Sequence, residues 1–225
     1  MSVYRLYGKR VFDVMVGAVA CVVFSPVFLL LAAMVRASHG SPVLFRQRRA
    51  GQAGRPFELF KLRSMTNACD QNGVLLPDDR RITRLGHFLR KTSLDELPQL
   101  VNVLRGEMSL VGPRPLLLQY VDRYTPRHRR RLEPRPGITG WAQVRGRQDL
   151  PFSKRFELDV WYVENVSFFL DVKILVLTVL QVFRGRGVHT TQNVSDVDDL
   201  GLWSDNGRVS GDTAGEAEDN KETHP

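Results

Sequence analysis

The sequence predicts an α+β fold, mainly helical, built from an apolar N-terminal membrane segment, a short β-hairpin and a body with amphipathic helices. Three observations carry this expectation. Residues 14–35 form a run of 22 positions without a charged side chain, about 33 Å long as one helix and enough to cross a bilayer. Two short runs rich in strand-forming residues, Val43–Gln47 and Phe57–Leu62, flank a loop holding Gly51, Gly54 and Pro56. Beyond them, four stretches place apolar residues at helical spacing. The expected organisation is a membrane segment over 1–37, a body over 38–188 and a polar tail over 189–225.

Charge separates the last two regions. The chain of 225 residues has a formal net charge of +8. Between His189 and Pro225 nine acidic residues face only Arg208 and Lys221, so the tail carries −7 and residues 1–188 carry +15. The tail has few large apolar residues and is expected to be a disordered, solubilising extension. A basic body suits a polyanionic partner: nucleic acid, anionic lipid or a phosphorylated substrate. Nucleic acid is disfavoured, because no zinc finger, RNP-type aromatic strand or helix-turn-helix pattern is present. Cys21 and Cys69 make no disulfide framework, and the five histidines make no zinc-ligand spacing.

The apolar run leaves two main readings open, with a signal peptide the weakest alternative because no small-residue cleavage site follows. One is a spanning helix. The other is a helical hairpin that returns to the same side. Ser25-Pro26 lies mid-run, where proline removes a helix donor and a serine hydroxyl can satisfy the freed carbonyl. Both flanks are basic, with Arg5, Lys9 and Arg10 before and Arg36, Arg46, Arg48 and Arg49 after. A spanning helix usually biases such residues to one end.

In the body, Lys61 and Arg63 end the second predicted strand. Local pattern makes them its solvated face, and Lys61 is kept as a candidate substrate contact. Asp78-Asp79 opens a predicted helix that runs through Ile82, Leu85, Phe88 and Leu89 to Arg90-Lys91. A second helix carries the stripe Leu94, Leu97, Val101 and Leu104 and stops at Gly106. At its start, Ser93-Leu94-Asp95-Glu96 fits a capping box, with Glu96 reaching back to Ser93. Pro98 conflicts with that start and favours one at Asp95. A helix N-terminus with two carboxylates is read locally as a cap, yet its free amides also suit a phosphate. Gly112-Pro113-Arg114-Pro115 follows, where stiff backbone presents Arg114 either to a phosphate or to a structural salt bridge.

The run PRHRRRLEPRP at 126–136 reads as a solvated face or as a contact for anionic headgroups. Residues 137–147 are glycine-rich without a P-loop or dinucleotide fingerprint, a tight loop with Arg145 and Arg147 as possible anion contacts. Phe152–Val163 and Phe168–Phe183 read as helices. The latter is short for a span and is either a core helix or an interfacial one.

These residues together resemble a known family. KRVFD at Lys9–Asp13, Ser25-Pro26, FKLRSM at Phe60–Met65 and TRLGHFLRKTSLDELPQLVNVLRGEMSLVGPRP at Thr83–Pro115 are similar to the bacterial sugar transferases, the monotopic phosphoglycosyl transferases. RPGITGWAQVRGR at Arg135–Arg147 and FELDVWYVENVSFFLDVKI at Phe156–Ile174 extend the resemblance. It implies that the apolar segment is a re-entrant hairpin broken at Ser25 and Pro26. It implies that Asp95 is the nucleophile and Glu96 a Mg²⁺ ligand. The implied reaction moves a sugar-1-phosphate from a UDP-sugar to undecaprenyl phosphate through an aspartyl-phosphosugar, the first membrane step of glycan assembly. Such a protein works on the cytoplasmic face of the bacterial inner membrane, among anionic lipids and beside downstream glycosyltransferases. This chain looks like the minimal form, without a large extra membrane domain. Arg90, Arg114, Arg145 and Arg147 are the candidate phosphate and nucleotide contacts. Asp159 and Asp171 are candidates for ordering those arginines or the metal site. Two rivals are a non-enzymatic membrane-surface adaptor and a lipid-phosphate enzyme of the CDP-alcohol type. The latter needs a longer aspartate-glycine-arginine signature and several spans.

Overall fold

A computed structural model of the chain describes residues 3–146, 150–184 and 198–202. It is mainly helical, with two small two-stranded sheets and one long apolar N-terminal helix. That helix, α1 (Lys9–His39), follows a single π-helical turn at Tyr4–Gly8. The expected helix–break–helix is corrected here: Pro26 lies inside one continuous helix. The reason is local. Proline at 26 leaves the carbonyl of Val22 without its usual donor, and the Ser25 hydroxyl donates to that same oxygen at 2.8 Å.

Both ends of α1 pack on the body while its middle does not. Near the start, Asp13 accepts from the Leu110 amide at 3.1 Å, and Arg10 donates to the carbonyls of Val103 and Leu104. Near the end, Leu31 and Val35 are buried with Leu62 and Leu89, and His39 bonds Thr83 at 2.9 Å. Between them Val19, Val22, Val23, Leu29 and Leu30 are exposed. The length, apolarity and exposure of α1 mark the protein as membrane-associated.

Strands β1 (Leu44–Ala50) and β2 (Pro56–Leu62) pair antiparallel, Leu44 opposite Leu62 and Ala50 opposite Pro56. Both faces of β2 are covered: Phe57 and Leu59 point one way, Phe60 and Leu62 the other, and all four are buried. Lys61 shares the face of Phe57 and Leu59. It is therefore not on a solvated face, as the local pattern suggested. The open edge of β2 meets the buried side chain of Asn102. Its Nδ2 donates to the Glu58 carbonyl at 2.6 Å, and its Oδ1 accepts from the Phe60 amide at 3.2 Å.

The helix expected from Asp78 to Lys91 is two helices, α2 (Asp78–Arg81) and α3 (Arg84–Thr92). Between them Ile82 is extended and bridges Met65, and Thr83 caps α3 by accepting from the Gly86 amide at 3.0 Å. Gly86 lies hard against the chain that follows β2, where an added Cβ would sit 1.8 Å from the Ser64 carbonyl oxygen. The next helix also differs from expectation. A 3₁₀ turn at Leu94–Glu96 precedes α4 (Gln99–Arg105), with Pro98 as the N-cap and Gly106 as the left-handed C-cap. A 3₁₀ turn advances with three residues per turn, which shifts the phase of the expected stripe. Val101 is exposed, and Gln99, Asn102 and Val103 are the buried residues.

Residues 137–147, read as a loop, begin with strand β4 (Gly137–Thr139) and helix α6 (Trp141–Gly146). Strand β4 pairs parallel to β3 (Ser109–Val111). The glycines permit this contact: a Cβ on Gly137 would lie 2.1 Å from the Gly112 nitrogen, and one on Gly140 2.2 Å from its oxygen. A short helix, α5 (Pro126–Arg129), opens the basic run. Helices α7 (Phe152–Glu164) and α8 (Phe168–Arg184) close the body. Helix α8 is not a core helix throughout. Asp171 and Ile174 are buried, but Phe169, Val176, Val179 and Leu180 are exposed.

Gly86→Ala is expected to force α3 away from Ser64, an overpacking cost on the order of 3 kcal/mol. Thermal unfolding of the full chain in detergent checks this, at about 2–4 °C of Tm per kcal/mol for a protein of this size.

Candidate active site

The site is built where three segments meet: the end of β2, the 3₁₀ turn after α3, and the Gly112–Pro115 segment after β3. Ser93 enters the turn with φ 58°, left-handed for a residue with a Cβ. Such a conformation costs about 1–3 kcal/mol and persists only where surroundings impose it. Here the imposing contacts are backbone bonds, from the Ser93 amide to the Arg90 carbonyl and from the Glu96 amide to the Ser93 carbonyl. The turn directs Asp95 and Glu96 inward, and both are largely shielded from solvent.

Glu96 does not complete a capping box. Its Oε1 accepts from Lys61 Nζ at 2.9 Å and from the Arg114 guanidinium at 2.6 Å. Burial opposes its ionisation, but the charges of Arg114 and Lys61 and their hydrogen bonds outweigh burial and hold the carboxyl far below the ordinary range. Asp95 is different. Lys61 Nζ is 4.0 Å from its Oδ2, and its carboxylate accepts no hydrogen bond from the described residues. Burial is the main influence on Asp95, and the neighbouring Glu96 charge adds to it. Lys61, Arg114 and Arg90 act in the opposite direction, and the result is a carboxyl pushed up to about 6.

Arg114 is fixed from behind. Arg131 donates to the Arg114 carbonyl at 2.8 Å, to Asp159 Oδ2 at 2.8 and 3.1 Å, and to the Tyr124 hydroxyl at 3.1 Å. Asp159 thus orders an arginine, Arg131, that sequence reasoning missed. Arg131 was hidden in the basic run, which is not a uniformly solvated face: Arg131 is buried, Arg127 pairs with Glu157, and Arg130 pairs with Glu133 and Glu164. Arg90 sits beside the dyad and donates to the Ser64 hydroxyl at 3.0 Å.

Lys61, Arg90, Asp95, Glu96, Arg114 and Asp159 all line one cleft of about 1020 Å³. Its wall continues to Ala20 and Phe24 of the apolar helix, just before Ser25 and Pro26. Arg145 is not part of the wall: it is exposed, its guanidinium 4.2 Å from the Trp141 ring centre. Arg147 lies outside the described residues. Asp171 is placed elsewhere too. Fully buried, it accepts from Lys9 at 2.7 Å and Tyr4 at 2.6 Å, with the Tyr162 hydroxyl at 2.7 Å. Its position is that of an anchor between the N-terminal helix and α8, and not of a substrate contact.

Adjacent carboxylates also suit a hard divalent cation, which takes one or two carboxylates together with substrate phosphates. Asp95 has open lone pairs, and both cations on Glu96 occupy a single oxygen. No group of three His, Cys, Asp or Glu side chains converges as a metal cage among the described residues. A cation here would therefore complete its shell from substrate and water.

The sequence model of the bacterial sugar transferase family matches residues 4–185. The chain belongs to this family. It is therefore an enzyme, a transferase, which sets aside the non-enzymatic adaptor. The uncharacterized sugar transferase EpsL of Bacillus subtilis (strain 168) is 52% identical over 187 residues, 83% of this chain and 93% of that protein. The exopolysaccharide production protein ExoY of Rhizobium meliloti (strain 1021) is 40% identical, over 80% of this chain and 87% of its own length. A UDP-glucose:undecaprenyl-phosphate glucose-1-phosphate transferase of Caulobacter vibrioides (strain ATCC 19089 / CIP 103742 / CB 15) is 42% identical, over 76% of this chain and 68% of its own length.

The raised carboxyl makes a stability prediction. Between its unfolded value near 3.9 and about 6, folded Asp95 holds a proton that the unfolded chain has lost, so its contribution falls as pH rises through that window. Asp95→Asn is expected to stabilise the fold at pH 7.5, on the order of 1–3 kcal/mol, and to lose that advantage by pH 4. Denaturation midpoints of both proteins across that range measure it.

Proposed function

We propose that this enzyme transfers a sugar-1-phosphate from a UDP-sugar to undecaprenyl phosphate, giving undecaprenyl-diphosphate-sugar and UMP. The observation that carries the reading is the cleft: a buried carboxylate that accepts no hydrogen bond among the described residues, flanked by cations, on a wall that reaches an apolar membrane helix. The name of the Caulobacter relative, which specifies both a UDP-sugar and undecaprenyl phosphate, supports the substrate classes.

Asp95 is the nucleophile. One of its oxygens attacks the phosphorus bonded to the sugar, the bond from that phosphorus to the bridging oxygen breaks, and UMP leaves. An oxygen of the lipid phosphate then attacks the same phosphorus and releases Asp95. Splitting the transfer in two predicts ping-pong kinetics. Arg114 and Lys61, held on Glu96, present positive charge where the diphosphate gains negative charge. Arg90 holds the other side of the turn, and Arg131 with Asp159 keeps the Arg114 backbone in place. Mg²⁺ bound at Glu96 would neutralise the diphosphate and ease departure of UMP.

The apolar helix is re-entrant in this reading, entering one leaflet and returning to the cytoplasmic face. Two observations support it: its two ends pack on the same body, and a proline sits in the exposed middle. Proline bends a helix without ending it. The exposed apolar side of α8 rests at the same interface, so that the cleft lies at the depth of a lipid phosphate. Anionic lipids surround the site, and the product passes to downstream glycosyltransferases.

Incubation with a UDP-sugar labelled in its sugar-proximal phosphate is expected to label the wild-type chain, with UMP release, when lipid phosphate is withheld. Asp95→Asn should stay unlabelled and inactive; labelling of that variant would sink the nucleophile. In sealed vesicles, cysteines introduced at residues 3–8 and 43–48 should react from one side only. Reaction from opposite sides would mean a spanning helix.

A further inference from the structure

The family match ends at residue 185, yet Asp198–Leu202 packs on the body. Leu202 is 5% exposed, held among Ala50, Tyr120, Tyr124, Leu132, Phe152 and Phe156. Asp199 accepts from the Ser153 amide at 3.0 Å and from the Ser153 hydroxyl. That amide belongs to the first turn of α7, whose N-cap is Pro151, a residue with no side-chain oxygen to offer. Asp199 thus supplies in space the cap that local sequence lacks. The Arg123 guanidinium donates to the Leu202 carbonyl, and the Leu202 amide donates to Asp198 at 2.9 Å. A buried leucine, a helix cap and a held carbonyl are three separate contacts within five residues.

The segment does not line the cleft, so it covers nothing there. What it touches does line it. Phe156 packs around Leu202 and also forms part of the cleft wall, and Asp159, one turn further along α7, holds Arg131. Arg131 in turn holds the carbonyl of Arg114.

We propose that Asp198–Leu202 is a docking motif for the chain's own aromatic groove, and that its docking fixes the start of α7 and so keeps Arg131 and Arg114 aligned with the Asp95–Glu96 pair. The residues of the motif are positioning residues, acting through α7. The groove reads one buried leucine and one acidic side chain three residues before it. The acidic extension therefore contains an internal ligand as well as solubilising charge.

The test uses the full chain in nanodiscs, comparing wild type with Leu202→Asp and with a chain ending at residue 197. Amides 153–156 are expected to exchange hydrogen about tenfold faster in both variants. Turnover is expected to fall about fivefold, with KM for the UDP-sugar little changed. A peptide spanning residues 194–205, added to the shortened chain, should restore slow exchange and turnover together. Unchanged exchange would overturn the docking. Faster exchange with normal turnover would overturn the link to the dyad. If the shortened chain regains activity when mixed with full-length Asp95→Asn, the motif docks between copies and the intramolecular assignment fails. The turnover arm rests on the reaction proposed above. The exchange arm does not, so failure of one is distinguishable from failure of the other.

Discussion

One carboxylate oxygen gathers the site. Glu96 Oε1 receives both Lys61 and Arg114, and so ties the end of β2, the turn after α3 and the segment after β3 to one point. The Glu96 carboxylate, largely shielded from water, is held ionised by these two cations, each of which keeps part of its own side chain in solvent. Much of the surrounding architecture maintains this pairing. Asn102 fixes β2 against α4, the bare glycines at 137 and 140 let β4 draw the Gly112 backbone close, and Arg131 holds Arg114 by its carbonyl. The cluster sits where two apolar cores already bring these segments together, Phe57 and Leu59 against Val111 on one side and Leu62 against Leu94 and Leu97 on the other.

The same cluster separates two neighbouring carboxylates. Glu96 takes the hydrogen bonds and is held ionised. Asp95, one residue away, has burial and a like charge beside it and is pushed the other way. Pairs driven apart by their environments commonly divide their work. The tight turn makes this possible: consecutive residues of a 3₁₀ turn point in different directions, so Glu96 hydrogen-bonds Lys61 and Arg114 while Asp95 lies 4.0 Å from Lys61.

Much of this was legible in the sequence. The β-hairpin, α7, α8 and the apolar helix follow from local composition and period, and the structure places them within a few residues of the expectation. The Asp95–Glu96 pair stood out through its place at a helix start followed by a braced arginine. What was not legible depends on distant contacts. Arg131 looks like any residue of a basic run until Asp159, 28 positions on, is folded against it. Asn102 lies beside the expected apolar stripe, and only the edge of β2 explains why a polar side chain there is buried. The phase of α4 departs from the sequence pattern because a 3₁₀ turn precedes Pro98, and the break at Ile82 comes from a bridge to Met65 with no glycine or proline there to signal it. The Ser153–Asp199 contact joins residues 46 positions apart, and nothing in the local pattern around either one signals it.

Asn102 has one more effect. A two-stranded sheet offers its outer backbone groups to any extended chain that meets them, the usual route to edge-to-edge association. On β2 the groups at Glu58 and Phe60 are already taken by a side-chain amide, which imitates the donor and acceptor of a third strand. One asparagine thus occupies the outer edge of β2, and the strand can hold Lys61 in the cleft without offering that edge to another chain.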